Sequence, residues 1–395
     1  MVSIAGSQMQ TWALFWHIRT LTDQPIALGG VGLARILPII LFSLVGGAVA
    51  DTLNRRNLLF FTQVLLALIA SLLAWLTFQD RLSLWHIYAL TAVQAMAISF
   101  DTPARQALVP NLVPAKDLAS AFSLTSIGFQ TGAIAGPALS GLVIAYLGQP
   151  YTYLINALTY LVVFAALIWM GPVEQRVELG RRNAVSLEAI RDGVRFIFSH
   201  PIILPTMLLD FVATFFSSAN TLMPIIARDV LGVGAVEYGW LSSAQSLGAL
   251  ITAAVVSQFD QIRRQGMLFL IAVVAFGVAT ISFGLVRTFP LAIITLMFIG
   301  ASDSVSTIIR NTIRQLQTPD YIRGRMVSIN QIFFMGGPQL GEVEAGAVAQ
   351  FFGASFAIVS GGVGCLLAVA WIARRWPILR QYNGDETLLA GMPTN

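Results

Sequence analysis

The sequence predicts an all-α polytopic membrane protein: twelve transmembrane helices in two pseudo-symmetric six-helix bundles, the first helix cut short. Composition, the recurrence of long apolar runs and an internal repeat carry this prediction. The 395 residues are 56% hydrophobic and 11% charged, against roughly 25% charged in an average soluble domain. So few charges cannot cover a water-soluble fold of this size.

Apolar runs fall near 1–19, 27–50, 58–78, 85–100, 118–147, 151–171, 202–227, 237–258, 266–286, 289–309, 326–350 and 354–373. Each is close to the ~20 residues a spanning helix needs and too long for a barrel strand. Backbone groups in hydrocarbon must bond within their own segment, so the runs are helices. The opening MVSIAGSQMQTWALFWHIRT lacks a basic n-region and a small-residue cleavage site, and reads as a span rather than a signal peptide.

Four sections follow: an N-terminal bundle over 1–171, a central linker over 172–200, a C-terminal bundle over 201–373 and a tail over 374–395. Within the linker, Leu187, Ile190, Val194, Ile197 and Phe198 recur at helical spacing opposite Arg191, Asp192 and Arg195, which predicts an interfacial helix. Assigning alternate connections to one side gives it 18 Lys and Arg, among them Arg105, Arg310 and Arg314. The other side has four: Arg19, Arg81, Arg228 and Arg287. The richer side, with the central loop and the C-terminus, is cytoplasmic by the positive-inside rule, in a bacterial-type inner membrane.

A shift of 205 residues aligns Arg105 with Arg310, Gly132 with Gly337, Gly136 with Gly341 and Gly141 with Gly346; a shift of 209 aligns Gly30 with Gly239 and Asp51 with Asp260. Such a parallel repeat belongs to transporters that bind substrate near the midplane between two halves.

Composition also excludes several functions. The net charge of +4 is spread through short loops rather than gathered on one surface, so no nucleic acid partner is expected. Cys365 is the only cysteine, and His17 and His86 sit beside Trp16 and Trp85 without ligand spacing, so neither metal nor cofactor is expected. No GxxxxGK[ST] loop occurs, and no nucleophile, base and metal cluster marks a membrane enzyme.

Two glycine patterns stand out. GGAVADTLNRR places Gly47, Asp51, Arg55 and Arg56 at the end of span 2, as a hinge or an ordinary helix end. GFQTGAIAGPALSGLV in span 5 places Gly128, Gly132, Gly136, Pro137 and Gly141 on a stripe for close helix packing. Both resemble motifs of the major facilitator superfamily, the second the motif associated with antiporters and exporters, with Thr52 and Ser140 departing from the usual residues. FDTPARQALVPNLVP, TPDYIRGRMVSINQ and LGEVEAGAVAQFFG resemble the transmembrane secretion effector group, which includes enterobactin-type siderophore exporters. Against such relatives span 1 looks clipped, which implies a translation start upstream of Met1 or a shortened paralogue.

Acids inside spans cost roughly 2.5–3.5 kcal/mol each on insertion scales and need a reason. Asp210, Asp303, Glu342 and Glu344 are such acids. The resemblance places spans 7 and 10, and so Asp210 and Asp303, beside the substrate path as coupling or cavity residues. Glu342 is counted with them as a coupling or cavity candidate, with the resemblance slightly favouring it as an interface group. Asp101 and Arg105, four apart, read as a gate or cap pair. Trp12, Phe15, Phe211, Phe215 and Phe216 face either the cavity or lipid. The leading expectation is a monomeric secondary exporter exchanging an amphipathic small molecule for protons. An importer, or a transport-inactive sensor or secretion accessory protein, remains the alternative.

Overall fold

The computed structural model describes residues 1–171, 187–216, 219–259, 262–384 and 386. The helices are α1 (Val2–Leu21), α2 (Pro25–Thr52), α3 (Arg55–Phe78), α4 (Leu84–Leu112), α5 (Leu118–Tyr146), α6 (Gln149–Trp169), α7 (Leu187–Ser199), α8 (Ile203–Phe216), α9 (Met223–Ile225), α10 (Ala235–Val256), α11 (Gln265–Leu285), α12 (Phe289–Leu316), α13 (Asp320–Phe352), α14 (Ala354–Arg375) and α15 (Pro377–Gln381). Among the described residues nine helical stretches are long and apolar enough to cross a membrane. The three other long helices, α1, α4 and α13, have the length but carry more polar side chains.

The apolar run over 202–227 is not one helix. α8 is described as far as Phe216, and from Ala219 the chain runs through a 3-10 turn, α9 and a π turn over Ile226–Val230. Pro224 opens α9, where its missing N–H costs least. Conversely, α4 and α12 run past the apolar stretches that predict them, to Leu112 and Leu316, carrying charged residues inside the helix.

The chain forms two compact units, Met1–Gly180 with Thr221–Ser243, and Arg181–Asn220 with Ala244–Asn395. In the first, glycines let helices touch. A Cβ on Gly132 would stand 2.6 Å from Ile4 Cγ2, and one on Gly136 2.5 Å from Gln8 Cβ, so these glycines of α5 seat α1. Gly141 instead meets Ala235 O and Gly239 of α10, and Ser243 Oγ donates to Ile134 O at 2.7 Å. Tyr88 on α4 packs on Gly30 of α2 and donates to Ala27 O at 2.7 Å.

The second unit repeats the arrangement. Gly337 on α13, the partner of Gly132 under the 205 shift, meets Thr214 and Phe211 of α8, and Gly248 of α10 meets the Met297 backbone of α12. α7 buries Ile197 against Ile203, Met207, Met326 and Ile329 while Val194 and Phe198 stay exposed. It therefore packs on protein along one edge and presents an apolar edge outward.

Candidate functional site

In the second unit, α12 carries Asp303, Ser306, Arg310 and Arg314. These recur every three or four residues, which puts them on one face of the helix. That face meets Asp210 of α8. Arg310 Nη1 lies 2.9 Å from Asp210 Oδ1 and 3.7 Å from Asp303 Oδ1, and donates to Ser306 Oγ at 3.1 Å. Arg314 Nη2 lies 3.5 Å from Asp210 Oδ2 and 3.4 Å from Thr206 O. With both acids ionised the quartet is formally neutral, which is how a membrane interior tolerates four charges.

The two acids are not equivalent. Asp210 is 2% exposed and answers both arginines, whereas the Asp303 side chain is 41% exposed, bonds Thr307 and meets Arg310 only at the longer distance. Asp210, Thr214, Phe276, Asp303, Ser306 and Arg310 line a small cavity with one charged and one aromatic wall. Counting Arg310 and Arg314 among connecting-loop charges is therefore corrected: both are 3% exposed within α12 and pair with acids.

The first unit holds a related pair. Arg105 donates to Asp101 Oδ2 through Nε at 3.2 Å and Nη2 at 2.9 Å; Thr62 Oγ1 and Gln63 Nε2 donate to Asp101 Oδ1 at 2.9 and 2.7 Å. Both oxygens are thus satisfied, and α3 is tied to α4. Arg55 Nη1 donates to Ala107 O at 3.1 Å and Arg56 Nε to Leu167 O at 2.8 Å, so both grip carbonyls in the last turns of neighbouring helices. The side chains of Gly47 and Asp51 lie outside the described residues. Pro137 sits inside α5, and its carbonyl faces Gly239. Glu342 is buried in α13 and Glu344 is half-buried there.

Other expected residues fall elsewhere. His17 is buried and pairs through Nδ1 with Tyr153 Oη at 3.1 Å, while His86 bonds Ser83 at the start of α4. Phe15 is buried, with the Arg35 guanidinium 5.4 Å above its ring. Phe211 stacks on Phe215 and meets Phe333 edge-on, and Phe216 packs on Gly361 and Gly364. Among the described residues no group of His, Cys, Asp and Glu is placed to hold a metal.

Sequence reasoning passed over three features. Gln10, Gln94 and Asn156 form an amide chain, buried at Gln10 and Asn156 and half-buried at Gln94: Asn156 Nδ2 donates to Gln10 Oε1 at 2.7 Å, and Gln10 Nε2 to Gln94 Oε1 at 3.3 Å. The cost of placing polar groups in lipid flags amides as well as acids, and that signal was available. Arg19 bonds Asp23 and, at 2.8 Å, Asp229; the Arg19 hydrogen bond holds the exposed Asp23 carboxyl below its usual range. His200, between α7 and α8, accepts through Nδ1 from the N–H groups of Ile202 and Ile203 at 3.3 and 3.2 Å. Burial pushes its pKa down to about 4.

Apolar helices, glycine-mediated repeat packing and a neutralised charge cluster inside the second unit define a polytopic membrane protein. Solved structures share the fold: a nucleoside transporter NupG mutant (TM-score 0.74, 12% identity, 94% of this chain and 98% of that one) and a bacterial homologue of the lysosomal transporter Spinster (TM-score 0.71, 14% identity, 96% and 97%). The transmembrane secretion effector profile matches residues 1–390, and the chain belongs to that family of the major facilitator superfamily. Among its relatives are the multidrug efflux pump Tap of Mycolicibacterium fortuitum (27% identity over 358 residues, 87% of this chain and 84% of Tap) and the enterobactin exporter EntS of Shigella boydii (25% over 324 residues, 82% and 77%).

Proposed function

We propose that the protein is a proton-coupled exporter that moves amphipathic small molecules out of the cell by alternating access. The outward direction rests on relatives named as an efflux pump and an exporter. The coupling rests on the α8–α12 quartet. Asp303 is the exchange site, because it is half exposed to the cavity and shares an already engaged arginine at 3.7 Å. Asp210 positions that arginine rather than exchanging protons. Protonating Asp303 leaves the quartet with a net positive charge and Arg310 wholly to Asp210, so the field across the cavity changes with proton load.

In this reading the monomer lies in the inner membrane with its central loop and C-terminus cytoplasmic, and Gly47, Asp51, Arg55, Arg56, Asp101 and Arg105 form the gating elements on that side. Gly132, Gly136, Pro137 and Gly141 hold the span 5 packing, and Glu342 serves as a further coupling or cavity acid. The sections over 1–171, 172–200, 201–373 and 374–395 act as bundle, linker, bundle and tail.

The test is efflux from proteoliposomes under an imposed pH gradient, with a panel of siderophores and lipophilic dyes. Gradient-dependent movement of at least one compound supports the reading; uptake only in the opposite direction makes the protein an importer. Movement of none across the panel favours the sensor or accessory alternative.

A further inference from the structure

The cavity beside the charge quartet lies where α8, α11 and α12 meet. Asp210, Asp303 and Ser306 give it polar walls, Ala213 and Phe276 apolar ones, and α11 brings no charged residue. Its volume is ≈ 10 Å³, and a single water molecule needs about 10–15 Å³. The space is one water wide.

One wall carries an unmet acceptor. Asp210 Oδ1 is sealed from solvent, and the contact with Arg310 Nη1 at 2.9 Å is an ion pair off the N–H direction, so the oxygen accepts no hydrogen bond among the described residues. A buried acceptor without a donor carries its full desolvation penalty. Asp303 accepts from Thr307 and keeps further lone pairs, while Ser306 Oγ accepts from Arg310 Nη1 at 3.1 Å and has its own proton to give. Two acceptors and one donor around so small a space match the three or so hydrogen bonds that a buried water makes.

Charge selects water over a cation. With both acids ionised the quartet is neutral, so a metal ion would add an uncompensated charge beside Arg310. Water adds none.

We propose that this cavity binds one ordered water molecule, which accepts from Ser306 and donates to Asp210 Oδ1 on α8 and to Asp303 on α12. Its binding follows from the cavity, and its role rests on the exchange of protons at Asp303 proposed above. While Asp303 is ionised, the water donates to both carboxylates. Once Asp303 is protonated, its O–H donates to the water, which keeps its bond to Asp210 and turns its other hydrogen to Thr214 Oγ1. Thr214 lines the same cavity and donates its own proton to Asp210 O at 2.8 Å. The proton stays on Asp303, and its arrival on α12 is read on α8.

The test is a cryo-EM map of the whole protein in lipid nanodiscs, at a resolution that shows ordered water. A peak is expected within hydrogen-bonding distance of Asp210 Oδ1, Asp303 and Ser306 Oγ. X-ray footprinting in heavy-oxygen water adds a second readout: radicals formed from a water in the cavity should label Phe276 above Phe269 and Phe283, which are buried in the same helix. Ala213→Val, which crowds the cavity, should remove that excess. The map uses the unaltered protein and decides the matter should Ala213→Val fail to fold. A peak in a protein that shows no gradient-driven transport supports the water site and removes only the coupling. The proposal is overturned if the map resolves other buried waters but none at Asp210 Oδ1, even where gradient-driven transport is intact. A peak that appears only with sodium overturns it in favour of a cation site.

Discussion

Arg310 pairs with Asp210 at 2.9 Å across two helices, whereas Arg105, its counterpart 205 residues earlier, pairs with Asp101 at 2.9 Å within one. Ser306 stands where the repeat would place a second Asp101. Moving the acid from the arginine's own helix to α8 turns a local pair into a tie between helices. It also leaves Asp303 with a weaker claim on the same guanidinium.

Asp210→Asn should therefore act mainly on folding. It leaves two buried arginines facing one acid, and breaking a buried pair costs about 3–5 kcal/mol. Membrane abundance and detergent melting temperature should fall sharply, and Asp210→Asn with Arg314→Gln, which removes one charge of each sign, should recover part of both. Normal abundance of the single variant would return Asp210 to the list of proton carriers.

Asp101→Asn tests the tie in the first unit. The carboxylate accepts four hydrogen bonds, two of them from Arg105; loss of the charged partner should cost about 1–3 kcal/mol. Calorimetry in detergent checks this, and an unchanged unfolding temperature would show that the helices are held by apolar packing alone.

The glycine stripe gives a graded prediction. Gly136→Val drives a side chain into Gln8 Cβ and the Met9 backbone, whereas a Cβ on Gly128 meets only the flexible Met1 side chain at 3.0 Å. Gly136→Val should abolish folded protein in size-exclusion chromatography and Gly128→Ala should leave it intact. Equal behaviour of the two would contradict the seating of α1 on α5.

His200 supplies a pH dependence. Its pKa of about 4 in the folded chain is below the ordinary value of 6.5, so the folded state binds fewer protons between those pH values. The stability it contributes is complete above pH 6.5 and is lost as pH falls towards 4. His200→Asn keeps an acceptor for the Ile202 and Ile203 N–H groups but does not titrate, so its melting temperature should fall less steeply over that window. Parallel curves for the two proteins would refute the assignment.

These predictions divide along the line between what periodicity reveals and what it hides. The glycines of α5 were legible because a four-residue spacing of residues without side chains has one main use in a membrane helix. The helix over Leu187–Ser199 was legible from its apolar spacing. Arg310 and Arg314 were misread because a charge beside an apolar run looks like the end of a span, although α12 continues to Leu316 and buries both. Only the position of α8 shows that Asp210 compensates them, since 100 residues of sequence separate the partners.

Asp303→Asn provides the most direct test of proton coupling, measured in proteoliposomes as substrate counterflow without a gradient and as accumulation driven by a pH gradient. Asparagine keeps the size and removes the titrating proton, so the account predicts that exchange persists while gradient-driven accumulation is lost. Full gradient-driven accumulation by Asp303→Asn, with folding intact, would contradict it.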